Sequence, residues 1–181
     1  ITASGYAGVW ARENTREEIF DAFKRKETYA TTGPRIAVRF FGGWEFTKED
    51  SLKPNFVDIG YTKGVPMGAD LAERGKNKKP NFLVMVSIDP NGANIERVQI
   101  IKGWIDSKGK TQEKVYDIYV ADDAGQSTVN VNNATYDNSI GDPYVLTFWE
   151  DKDFNKNYSS FYYVRVLEIP TPRWTTYDSV V

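Results

Sequence analysis

Three features of the 181-residue sequence predict a mainly β protein, an antiparallel β-sandwich of immunoglobulin-like type preceded by one amphipathic helix. Apolar and polar residues alternate through about seven short segments, the period of half-buried strands. Gly, Asn, Asp and Pro clusters separate those segments, which is turn chemistry. Helical periodicity is confined to one stretch near the start.

That stretch is residues 14–26. Thr15 stands three residues before Glu18, the spacing of a capping box that satisfies free N–H groups at a helix start. Glu17, Glu18 and Asp21 come early while Lys24, Arg25 and Lys26 come late, matching the helix dipole. Ile19, Phe20 and Phe23 form an apolar stripe, so a helix this short must pack on something. A short strand and then Gly33-Pro34 follow, a sharp change of direction expected where a chain passes from one domain to the next.

Strands are predicted at 35–41, 81–88, 95–101, 114–120, 127–131, 144–149 and 161–169. In the first, Ile36, Val38 and Phe40 share one face and Arg35, Ala37, Arg39 and Phe41 the other. In the second, Phe82, Val84, Val86 and Ile88 share a face with Leu83 and Met85 behind. Segments 81–88 and 161–169 are apolar on both faces and are expected to be central. Asp89-Pro90-Asn91-Gly92 and Ser107-Lys108-Gly109-Lys110 read as turns. Residues 42–71, rich in Gly and Pro, are expected to be a long loop carrying one short strand, and 170–181 an extended tail. The expected organisation is the end of one domain over 1–34, the sandwich over 35–170 and the tail over 171–181.

Composition narrows function. The chain has no Cys and no His, which removes thiolate nucleophiles, imidazole bases, Ser-His-Asp chemistry and every Cys- or His-ligated metal site from these residues. No catalytic residue and no metal ligand is assigned. With 23 Lys and Arg against 25 Asp and Glu, a net charge of −2 gives no general basis for nucleic-acid binding. No run approaches the eighteen apolar residues of a membrane span, so no membrane insertion is expected. A first residue Ile1 rather than Met leads us to expect that the chain starts inside a longer reading frame.

Local clusters have plain explanations. Asp151, Asp153, Asn155 and Asn157 alternate as calcium ligands can, but Lys156 and Tyr162 stand where an EF-hand loop needs Gly and Glu, so a polar hairpin loop is expected. Four basic residues in 74–79 lack interleaved aromatics and read as a solvated loop. Asp122 and Asp123, or Glu45, Glu49 and Asp50, show no spacing that aims two carboxylates at one cleft, as an autonomous glycosidase needs. The tryptophans at 10, 44, 104, 149 and 174 either fill the core or, exposed in a row, stack on sugar rings. A free-standing carbohydrate-binding sandwich is therefore the alternative reading.

The strings GVWARENTREEIFDAFKRKETYATTGPRIAVRFFGGW, GYTKGVPMGADL, VQIIKGW and FYYVRVLEIPTPRWTTYD, in this order, resemble the later part of an uncharacterised, mostly bacterial family over nearly the whole chain. That family resembles metal-dependent hydrolases of the PHP (polymerase and histidinol phosphatase) type, of the branch that includes carbamate-hydrolysing enzymes. The resemblance implies a distorted barrel with His, Asp and Glu metal ligands, whose final helix leads through a TxxTxGP segment into an appended sandwich. Residues 15–26 would be that helix and 28–34 the exit, with the metal-binding histidines upstream of Ile1. The implied function is an accessory sandwich, not catalytic by itself, whose partner is the barrel of its own parent, with a divalent metal in that barrel and no cofactor in this chain. Thr31, Thr32, Arg35, Arg173 and Trp174 are candidates for bordering the substrate entrance, by their position in the chain. Homo-oligomerisation through open sheet edges is permitted, and the resemblance favours the bacterial periplasm or exterior.

Overall fold

The computed structural model describes residues 5–72 and 78–180. The chain is mainly β, and every strand pairing is antiparallel. Strand β1 (Tyr6–Val9), helix α1 (Arg16–Lys24) and strand β2 (Thr28–Thr31) come first. Thr15 caps α1 through its side-chain oxygen, which accepts from the Glu18 N–H, as the capping-box spacing predicts. Lys26, at φ 59°, turns the chain back after the helix so that β2 can pair with β1 in a two-stranded ribbon.

Strands β3 (Ala37–Gly43), β4 (Gly64–Pro66), β5 (Asn81–Ser87) and β8 (Tyr144–Glu150) make one sheet in the order β4-β3-β5-β8. Strands β6 (Ile95–Ile105), β7 (Thr111–Val120) and β9 (Ser160–Glu168) make the other, ordered β7-β6-β9. Between the sheets lies the main core of Val38, Phe40, Phe82, Val84, Val86, Val98 and Ile100, completed by Tyr162, Val164 and Val166 of β9. The predicted faces of β3 and β5 are observed: their other sides carry Phe41 and Leu83 into a second core. Area removed from water on both faces of β5 explains its unbroken apolar run.

The second core is where the prediction departs. Residues 42–71 hold a 3-10 turn (Glu49–Leu52) and helix α2 (Phe56–Lys63) as well as the short strand β4. Phe56 and Ile59 of α2 pack on Phe41 and Leu83, with Phe46 beside them. Glycine content hid this helix. Gly60 is required inside it because a Cβ there would come 2.6 Å from the Phe41 ring. Asp50, 1% exposed, anchors the 3-10 turn. Burial pushes its carboxyl up, but Lys53 at 2.8 Å and Lys63 at 2.7 Å, with the Thr47 N–H, hold it well below the ordinary value.

Four further expectations are corrected. Residues 127–131 form no strand; Asn130 bridges back to Thr135 around a tight local turn, so its extended residues find no ladder. Segment 161–169 contains β9, an edge strand, and β6 is central instead. Its second apolar face, with Phe161 and Tyr163, is exposed on the outside of the sheet. The 151–159 connection is not a hairpin loop, because β8 and β9 lie in different sheets and the chain crosses between them. Finally, the tail is not extended throughout: helix α3 (Trp174–Ser179) follows Pro172.

Candidate functional site

A groove of about 1160 Å³ opens at one side of the sandwich. One wall is β2 and its exit, bringing Thr31 and Thr32 into the groove, with the segment around β4 continuing it. The opposite wall is β9 along its whole length, extended by Ile169 and Thr171. Core residues Ile36, Val38, Phe40 and Phe82 also line it, so much of the surface is apolar.

The ribbon that forms this wall is fastened to the sandwich by side chains. The Trp10 indole N–H donates to the Val38 carbonyl at 2.8 Å, and the Tyr29 hydroxyl meets the same stretch of main chain. The Arg39 guanidinium lies 3.5 Å over the Trp10 ring. Its Nη1 donates to the Tyr61 hydroxyl, and Tyr61 donates at 2.5 Å to Glu27, which is 4% exposed and also takes Arg25 at 2.8 Å. Helix, ribbon, β3 and α2 thus meet through one polar chain.

Sequence candidates distribute unevenly over this geometry. Thr31 and Thr32 line the groove, and the Thr31 Oγ1 is buried without a partner. Arg35 stands just beyond; its N–H donates to Asp89 at 2.8 Å and its guanidinium approaches the same oxygen at 3.5 Å. Arg173 is the exposed residue preceding α3 and Trp174 is 58% exposed; neither lines the groove. The carboxylates at 45, 49, 50, 122 and 123 do not line it either. Trp10, Trp44, Trp104 and Trp149 are half-buried, leaving Trp174 as the one exposed tryptophan. Of the basic stretch 74–79, residues 74–77 lie outside the described residues, while Lys78 pairs with Glu45 and Lys79 donates to the Lys152 carbonyl.

One acid in the groove was missed. Glu168 follows Tyr162, Val164 and Val166 on the same inward alternation, so the period-2 pattern itself places a carboxyl at the core side of the strand end. Its Oε1 is buried without a partner. Burial raises its pKa above the usual 4.5, helped by the neighbouring Asp89 charge and opposed by the Ala93 N–H. A carboxyl with a raised folded-state pKa favours folding below its unfolded pKa, and that contribution fades as pH rises through the folded value. Glu168→Gln is therefore expected to melt higher than the parent chain at pH 7 and to lose that advantage by pH 4, read from thermal unfolding at both pH values. An equal difference at the two values would refute the burial argument.

The loop with alternating oxygens has its groups committed. Asp151, fully buried, accepts from Lys102 at 2.5 Å and Tyr162 at 2.6 Å. Asp153 takes Lys114 and Tyr116, and both lower its pKa. Among the described residues no group of three or more His, Cys, Asp or Glu is placed to hold a metal ion. These residues offer no ligand set that fits the divalent ion the resemblance implies for the parent's barrel.

No curated protein and no solved structure matches the chain. One family does, over residues 1–181, described as "Protein of unknown function (DUF3604)". The chain belongs to that family.

Proposed function

We propose that this member of the family is the accessory, non-catalytic sandwich region of a PHP-like metal-dependent hydrolase, with α1 and the ribbon docking on a metal-bearing barrel of the same parent protein. The observation that carries the reading is α1 itself. Ala22 is its only buried residue, while Phe20 and Phe23 are 58% and 49% exposed; Lys24 lies 4.6 Å over the Phe20 ring but does not cover the pair. A nine-residue helix does not hold together on propensity alone, so exposed apolar residues on it support a covering partner. The polar chain through Glu27, Tyr61 and Arg39 would then transmit the barrel's position to the sandwich, and Thr31 and Thr32 would border the entrance. Any divalent metal would be held by that barrel, where it would supply Lewis-acid chemistry, and not by residues of this chain.

The test compares this chain with its full-length parent on generic phosphoester and carboxylester substrates, with and without Mn²⁺ or Zn²⁺. Metal-dependent turnover in the parent alone is expected; turnover by this chain would refute the reading. A second reading, a carbohydrate-binding sandwich, is favoured by a different observation. Phe161 and Tyr163 stand on the outer face of β9, with rings 13° from parallel and 6.4 Å apart, and both are exposed. The Phe161 ring lies against Gly103, where a Cβ would come within 2.3 Å of it. Retardation of this chain in polysaccharide-containing gels, lost in Phe161→Ala, would favour that reading; migration unchanged by any polysaccharide would remove it.

A further inference from the structure

We propose that a second cavity, of about 750 Å³ at the foot of the ribbon, binds a small organic oxyanion through a carboxylate or phosphate group. The inference is independent of the hydrolase reading. The cavity's volume falls within the roughly 300–1,000 Å³ of small-molecule sites. Three arginines, Arg12, Arg25 and Arg39, line it together with one acidic residue, Glu27.

The ion pairing within the cavity decides what is left over. Glu27 spends one oxygen on Arg25 and the other on the Tyr61 hydroxyl. Arg25 and Glu27 therefore neutralise each other, and among the described residues no carboxylate pairs with Arg12 or Arg39. Arg12 is exposed at the rim. Arg39 gives Nη1 to the Tyr61 hydroxyl.

Arg39 is also held still. Its guanidinium is stacked at 3.5 Å on Trp10, whose ring is in turn fixed by the bond from its N–H to Val38. A planar fork with restricted rotation suits bidentate recognition of a carboxylate or phosphate. Positive surplus and an immobilised fork converge on one ligand chemistry. Trp10 and Pro66 supply apolar wall beside the fork, leaving space for a compact organic body attached to the anion.

Isothermal titration of the chain with inorganic phosphate and, separately, with citrate, in chloride of matched ionic strength, tests the proposal. One-to-one saturable binding of at least one of them is expected, with Kd on the order of 1 mM or tighter. Phosphate alone would identify a phosphate ester and citrate alone a carboxylate. Arg12→Ala is expected to weaken binding about tenfold, and Arg39→Lys by a similar factor despite keeping its charge, because the fork is lost. Glu27→Gln is expected to tighten binding, a change of opposite sign that general loosening of the site would not produce. If neither anion binds beyond the chloride control, or if Arg12→Ala and Arg39→Lys bind as the parent does, the proposal fails. Because Arg12 is exposed, its variant carries the test even if the Arg39 variant does not fold.

Discussion

Lys102→Met is expected to destabilise the chain by about 3–5 kcal/mol, because it removes one partner of a buried ion pair and leaves the other charged. Lys102 is 4% exposed and Asp151 fully buried, their charged atoms 2.5 Å apart. After the substitution Asp151 keeps only the Tyr162 hydroxyl and the Asp153 N–H. An uncompensated carboxylate would then be enclosed by Tyr162 and the aromatic group of Phe82, Trp149 and Tyr116 around it. At roughly 2–4 °C per kcal/mol for a domain of this size, the melting temperature should fall by about 10 °C. Urea unfolding gives the free energy directly, and a loss below about 1 kcal/mol would mean that water reaches the pair. The double variant Lys102→Met with Asp151→Leu should recover much of the loss, since an apolar replacement of both partners removes the stranded charge.

Phe41→Ala is expected to cost a similar amount, about 3–5 kcal/mol, for a different reason. Phe41 is 1% exposed and meets Phe56 edge-on at 5.9 Å and Tyr61 at 5.1 Å, with its ring filling the space over Gly60. Truncation opens a cavity under α2 that the glycine cannot fill. The loss should be local as well as global, so limited proteolysis should cut first within 44–63, whereas Lys102→Met should not favour that segment. Equal protease patterns in the two variants would contradict separate cores on the two faces of the β4-β3-β5-β8 sheet.

Much of this division was legible in the sequence and part was not, for physical reasons. Alternation in 35–41 and 81–88 assigned each apolar side chain to its face, because a strand has only two faces. Alternation says nothing about order within a sheet. Segment 161–169 carries two apolar faces like a central strand, yet it lies at the edge of its sheet and leaves Phe161 and Tyr163 exposed on the outer face. Helix α2 escaped detection because glycine opposes helix in isolation; its support comes from Phe41, which is distant in sequence. Around the candidate groove, Thr31 and Thr32 had been singled out only by their position in the chain. Glu168 was passed over although its inward parity was readable. The Arg39–Trp10 stack and the Tyr61–Glu27 bond join residues from separate segments, which no local pattern exposes.

Two of the three crossings between these sheets, β5 to β6 and β8 to β9, bear on how the chain reaches this state. Strand β5 passes to β6 in the opposite sheet, β8 passes to β9 in the same sense, and β5 pairs with β8 while β6 pairs with β9. Both ladders therefore join the same two stretches of chain. When one arch meets the other, Asn81 finds Glu150 and Ile95 finds Glu168 in a single encounter. The entropy of closing the long intervening loop is lost once and is followed by two sets of hydrogen bonds and the core between them. The β6–β7 hairpin, joined by a short turn at Asp106–Lys110, can form beforehand and present β6 already paired on one side. Folding through such a step would be slow to begin and abrupt once begun, because neither sheet can be completed without the other.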